Sequence, residues 1–288
     1  MSHRDYPTDS EAKQLILEIG RRMYQKNFVA ANDGNITCKV DDDIIWATPT
    51  GVSKGFMHED QLVKMYLDGK IIRQGDLGPS SEIKMHLRIY SENPDVRGVT
   101  HAHPPVCTSF AIAGISLDKA IYPEALVNLG TVPCIPYETP GSPGIPESIA
   151  PYCKGFNAVL LANHGAVSWG KTLMEAFYRL ESMEHYATVL MYTGNIIGKA
   201  NVLDCEQVQE LIDIRTKMGI SAGGVPPCSP RGTGGEALPM HSPCGDKPAP
   251  PPQIKTYQPK SATSDQDGLS QDDISKVRDA VIARLRNL

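Results

Sequence analysis

The chain changes character at residue 222. From Ala222 to Lys260 it reads AGGVPPCSPRGTGGEALPMHSPCGDKPAPPPQIKTYQPK, with ten of the chain's 23 prolines and six of its 25 glycines. Such a stretch buries too little apolar surface to offset the entropy of ordering it, and proline withholds donors from helix and sheet alike. We read 222–263 as a flexible linker. A compact body is then confined to 1–221, and 264–288 forms a separate unit.

That last unit contains SQDDISKVRDAVIARLRNL. Ile274, Val277, Val281, Leu285 and Leu288 recur at steps of three and four and so share one helix face. Ser270 with Asp273 reads as a capping box, Asp272 and Asp273 suit a helix start, and Arg284 and Arg286 suit its end. A helix this short is marginal alone in water. Its tether far exceeds the about 4–6 residues typical inside compact domains, so we expect it to bind a partner rather than its own body. Asp272, Asp273 and Asp279 speak against a basic membrane-surface helix.

Composition narrows the function of the body. The chain is 41% hydrophobic and 21% charged with a net charge of −5. No basic surplus points to nucleic acid, and no apolar run is long enough to span a membrane. The opening MSHRDYPTDSEAK lacks the apolar core of a signal peptide, so a cytoplasmic protein is expected. Seven cysteines stand singly, without C-x-x-C, which fits a reducing compartment better than a disulfide framework.

Within the body, helices and strands alternate. Ser10 to Tyr24 reads as a helix with Leu15, Ile16, Ile19 and Met23 on one side. Gly34 to Val40 and Ile44 to Ala47 form a hairpin around DDD. Ser81 to Tyr90 is a helix with Ser80 as its cap. Val96 to His103 and Ala158 to Ala162 are strands, and Thr172 to Tyr192 is a long helix. The fold class is α/β, in one domain.

The strand that starts near Val96 ends in THAHPP. Side chains two apart on a strand point to one face, so His101 and His103 can aim both imidazoles at one point. The prolines that follow place the pair at the strand's rim. There two legs of a metal site fit, although a solvent-facing edge pair has the same spacing. His164 follows the second apolar strand, in AVLLANHGAV, where Gly165 lets the backbone turn. Other motifs suit an anion: GPSSEIKMH opens a helix with two hydroxyls and free N–H groups, and ATPTGVSKG offers Thr50 and Gly51. NDGNIT places Gly34 and Asn35 in a turn entering a strand. Each of these alone is also ordinary turn chemistry. Lys54 and Lys84 read as solvated.

Taken in order and at these spacings, GNIT, PTG, PSSE, HAH and NHG resemble the class II aldolase/adducin family over residues 8–220. The resemblance implies a three-layer domain with a central, mainly antiparallel sheet flanked by helices. It implies one catalytic Zn²⁺ per subunit on His101, His103 and His164. Glu82 would be the fourth ligand at rest and the acid/base once substrate displaces it. Asn35, Thr50, Gly51, Ser80 and Ser81 match positions that hold a substrate phosphate. Tyr122, in AIYPEALVNLG, matches a tyrosine that protonates the aldehyde oxygen from a neighbouring subunit, within a homotetramer. The implied reaction is cleavage of a ketose 1-phosphate, L-fuculose 1-phosphate favoured, to dihydroxyacetone phosphate and lactaldehyde through a metal-stabilised enediolate.

The family also contains sugar-phosphate 4-epimerases, dehydratases and a non-catalytic scaffold branch. Glu82 stands where the epimerases carry aspartate, which favours aldol cleavage, and the complete histidine set argues against the scaffold. Glu124 is an alternative acid in a dehydratase-like member. Met218 falls where the aldolases place a C-terminal tyrosine over the active site. The linker and terminal helix resemble the encapsulation peptides of bacterial microcompartment enzymes. From this we expect shell or core proteins as partners of 264–288, and a location inside such a compartment.

Overall fold

The computed structural model describes residues 6–229. The expected terminal helix over 264–288, and all of the expected linker beyond residue 229, lie outside the described residues.

Helix α1, Asp9–Gln25, starts where Thr8 and Glu11 cap each other: Glu11 N donates to Thr8 Oγ1 (3.3 Å) and Thr8 N to Glu11 Oε2 (2.8 Å). Its 3.6-residue period buries Ile16, Ile19 and Met23 completely. The hairpin follows as β1, Asn35–Lys39, and β2, Ile44–Ala47, with Thr37 opposite Ala47. Strands β3, Val63–Tyr66, and β4, Ile71–Arg73, lead to α2, Ile83–Glu92. Then come β5, Gly98–Ala102, α3, Pro105–Ala113, α4, Pro123–Asn128, and β6, Cys134–Ile135. The chain continues through α5, Gly144–Ile149, β7, Ala158–Leu161, and β8, Gly165–Gly170. It closes with α6, Leu173–Met191, and α7, Cys205–Lys217.

All eight strands join one sheet in the order β4-β3-β2-β1-β5-β8-β7-β6, antiparallel except for the parallel β6–β7 pair. The strand period of two sorts its side chains into two cores. Ile36 and Cys38 of β1 pack with Ile16 and Ile19 of α1 and Phe177 and Leu180 of α6. Val99 of β5 and Val167 and Trp169 of β8 pack on the other face with Met85 and Ile89 of α2 and Ile149 of α5. Helices thus cover both faces of a mainly antiparallel sheet. The central strands are buried throughout, which is why they read as apolar runs.

Four local expectations are corrected. The strand ends at Ala102, and His103 stands just beyond it with its N–H on Phe28 O (2.8 Å). Helix α2 starts at Ile83, with Glu82 rather than Ser80 in the cap position and no side-chain cap bond; Ser80 Oγ instead accepts from Glu82 N (3.3 Å). Residues 222–229, read as linker, are tied to the body: Gly223 N donates to Gly155 O, and Thr131 N to Gly223 O (2.7 Å). Cys205 and Cys228, 23 residues apart, form a disulfide where the N-terminus of α7 meets that returning segment, while Cys38, Cys107, Cys134 and Cys153 are free. No helix among the described residues is long and apolar enough to cross a membrane.

Candidate metal centre

Strand parity builds the site. Val99 and His101 share a face of β5, and that face is covered by α2. The residue preceding α2 is Glu82, so the end of the helix delivers a carboxylate to the imidazole: Glu82 Oε2 lies 3.3 Å from His101 Nε2. His164 enters from the turn between β7 and β8, with Nε2 3.2 Å from Glu82 Oε1. His103 completes the group, and the ligand atoms of the three histidines lie within 4.8 Å of one another. His101 is wholly buried, and the other two are partly exposed.

Two close approaches permit this. Gly34, at φ +76°, leaves no room for a Cβ, which would lie 2.9 Å from His101 O. A Cβ on Gly165 would lie 2.6 Å from both Ala102 O and His103 Cδ2. Gly165 is therefore needed for packing against His103; the left-handed turn residue is Asn163, at φ +58°.

Two of the three rings are oriented from behind. His101 Nδ1 donates to Ala166 O (2.9 Å), and His103 Nδ1 to Asp33 Oδ2 (3.2 Å), which turns both Nε2 atoms toward the centre. Asn35 lies opposite His101 across β1 and β5, and its Nδ2 donates to Glu82 Oε2 (2.9 Å) and Ser80 Oγ (3.3 Å). Burial opposes charge on Glu82, but His101, His164 and the Asn35 bond outweigh it and hold the carboxyl well below the usual range. Burial and the neighbouring His101 push His164 down to about 4. His101 Nε2, His103 Nε2 and Glu82 Oε1 are buried without a hydrogen-bond partner although Glu82 is in ion-pair range of two rings. Three imidazoles and an ionised carboxylate converging on one point fit a divalent cation such as zinc.

Beside this centre lies a cavity of about 350 Å³ lined by Asn35, Thr50, Gly51, Ser80, Ser81 and Glu82, with His103 and His164. A short pairing creates it. Pro49 bridges Pro79, Thr50 N donates to Gly78 O (2.9 Å), and Ser80 N donates to Thr48 O (3.3 Å). The PTG and PSSE turns, 30 residues apart, therefore stand side by side. Tyr122, half-buried against the ring of His185 (5.5 Å between centroids), does not line this cavity, nor does the exposed Glu124. Met218 is 60% exposed at the end of α7 and is also absent from its wall.

The model for the class II aldolase and adducin N-terminal domain matches residues 14–191. The chain belongs to that family. Among its relatives, a 3-oxo-tetronate 4-phosphate decarboxylase of Pectobacterium atrosepticum is 31% identical over 208 residues, 71% of this chain and 94% of the relative. An L-fuculose phosphate aldolase of Methanococcus maripaludis is 31% identical over 180 residues, 62% of this chain and 96% of that one. Among solved structures, Escherichia coli YgbL, a candidate aldolase, epimerase or decarboxylase, is similar at a TM-score of 0.67 and 27% identity, covering 71% of this chain and 99% of that one. An L-fuculose 1-phosphate aldolase follows at 0.66 and 27%, covering 74% and 100%.

As a class II aldolase family member the chain is an enzyme of the metal-dependent lyase type. Two residues of its site escaped the sequence reading. Asp33 lies in the NDG turn that was singled out, but only the fold shows it behind His103. Lys54, read as solvated, is 1% exposed and lines the cavity, since its turn folds under α1. Lys84 is exposed as expected.

Proposed function

We propose that this enzyme uses Zn²⁺ to cleave a ketose 1-phosphate, L-fuculose 1-phosphate in the first place, to dihydroxyacetone phosphate and lactaldehyde. One observation carries the reading. Three imidazoles and an ionised carboxylate converge beside a cavity that the Thr50–Gly51 and Ser80–Ser81 turns also line, as a substrate whose carbonyl stands next to its phosphate-bearing carbon requires.

His101, His103 and His164 would hold the metal, which supplies a Lewis acid for the negative charge that develops on the substrate's carbonyl oxygen. The neutral donors of Thr50, Gly51, Ser80 and Ser81 bind the phosphate, away from the breaking bond, and fix the donor fragment in place. Carbon–carbon cleavage requires the hydroxyl on the departing carbon to lose its proton as the aldehyde forms. Tyr122 of a neighbouring subunit takes that role, since the chain's own Tyr122 lies outside its cavity, and the proposal therefore includes a homo-oligomer, a tetramer in the family's manner. Glu82, protonated in turn from solvent, then gives that proton to the carbon left behind, while Tyr122 passes the one it took to solvent, so the cleavage consumes no net proton.

A second reading has the relatives in its favour. A 3-oxo acid phosphate that loses CO₂ leaves the same three-carbon phosphorylated donor fragment and needs the same Glu82 proton. It releases no aldehyde and so has no use for Tyr122. The deciding experiment supplies zinc-loaded protein with L-fuculose 1-phosphate or with 3-oxo-tetronate 4-phosphate and follows dihydroxyacetone phosphate, with a chelator control. Chelator-sensitive release from the sugar phosphate supports the aldolase. Release from the oxo acid alone, unaffected by Tyr122→Phe, replaces it with the decarboxylase. Release from neither, by protein that holds zinc, sinks both and leaves epimerase or dehydratase chemistry.

We propose further that residues 264–288 bind a shell or core protein of a bacterial microcompartment, on the strength of the helix face and linker in the sequence.

A further inference from the structure

The phosphate cradle drawn above contains only neutral donors, while Asp33 and Glu82 bring two carboxylates to the same cavity wall. An incoming phosphate dianion meets their charge at short range; hydroxyl and amide donors do not cancel it, and the charge of the proposed metal is shared with Glu82 and the substrate's carbonyl oxygen. Lys54 is the only lysine or arginine among the described residues that line the cavity.

Its setting is unusual for a lysine. The residue is 1% exposed, and Nζ donates to Asn32 O (2.9 Å) and Val52 O (2.7 Å). The two carbonyls belong to different turns. The first turn carries Asp33, which orients His103. The second carries Thr50 and Gly51. Burial lowers the lysine's pKa to about 8 despite the attraction of Asp33 and Glu82. A buried ammonium is costly, and an apolar side chain of similar length would fill the space without that cost. Two of three N–H donors are used, which leaves one for a further partner.

We propose that Lys54 is the cation of the anion cradle: it ties the Asp33 turn to the Thr50 turn and offers its third N–H to a phosphoryl oxygen of the ligand. The inference rests on the phosphate-binding reading above and adds to it the residue that balances the charge.

The test uses full-length, metal-loaded protein with inorganic phosphate as the probe. Phosphate affinity is measured by calorimetry for wild type, Lys54→Met and Lys54→Arg, with metal content and circular dichroism recorded for each. Loss of one charge-assisted bond predicts about 10- to 100-fold weaker phosphate binding in K54M. K54R should recover most of it at unchanged metal content, which a purely structural role would not produce. Wild-type affinity retained by K54M overturns the inference and leaves the neutral cradle standing. No measurable affinity in wild type overturns the cradle itself, and this inference with it. Should K54M fail to fold, Lys54→Gln, which can keep one carbonyl bond, takes its place with the same expected loss.

Discussion

Gly165 and His103 touch so closely that a methyl group on the glycine would stand 2.6 Å from the imidazole's Cδ2 and equally close to the Ala102 carbonyl. The carbonyl belongs to a central strand and cannot move, so the ring must. Gly165→Ala is expected to lose bound metal, and activity with it, while costing about 1–3 kcal/mol of stability. Metal analysis after gel filtration and a denaturant melt check both halves. Full metal content in a folded G165A protein contradicts the placement of His103.

Asp33 and Asn35 orient the centre without lining up as its ligands. Asp33→Ala frees the Nδ1 side of His103, and Asn35→Ala frees Glu82. Each is expected to lower metal affinity or activity by about 10- to 100-fold, the usual cost of removing such supporting bonds. The two should differ in kind. D33A shows chiefly in a competition titration with a chelator. N35A shows chiefly in kcat at saturating metal, because Glu82 carries the proton.

His86 gives the fold a pH dependence of its own. It is fully buried, with Nδ1 2.8 Å from Thr37 Oγ1, and burial, aided by His101, pushes its pKa down from 6.5 to about 3. Its folded pKa is depressed, so between those values the unfolded chain binds a proton that the folded chain refuses. Stability is therefore lost as pH falls below about 6.5. The share of His86 is about 1.4 kcal/mol between about pH 7.5 and pH 5.5. Denaturant melts of wild type and His86→Gln at both pH values measure it: the variant's loss on acidification should be smaller by that amount. Equal losses would place the burden elsewhere.

A cut that separates body from tail has to spare residues 222–229. Residues 222–229 hydrogen-bond to the body and carry Cys228 into its disulfide. Protein truncated at 229 is expected to retain wild-type lyase activity and melting temperature and to lose co-purification with shell proteins. Truncation at 221 should lower the melting temperature as well. Entry of the shorter protein into shells would rule out the tail as the targeting element.

Much of this protein is written in local sequence. The 3.6-residue spacing of Ile16, Ile19 and Met23 determined α1, because a helix with an apolar stripe must bury it. The alternate placement of His101 and His103 pointed to their convergence, although the strand itself ends at Ala102 and the contact with Phe28 seats His103. The five short motifs, in their order, determined the family. Contacts between distant segments were another matter. Only the sheet order brings β8 beside β5 and thereby His164 to His101. Only the bridge between Pro49 and Pro79 sets two turns side by side as one cavity wall. Lys54 shows the limit most plainly. Nothing in SKG marks it as buried, since its burial follows from α1 lying over its turn and from a carbonyl supplied 22 residues away. Likewise Cys205 and Cys228 read as single thiols until α7 and the returning segment meet. Periodicity is a property of neighbours along the chain and survives in the sequence. Proximity across the fold is fixed by how the elements pack, and no single segment carries it.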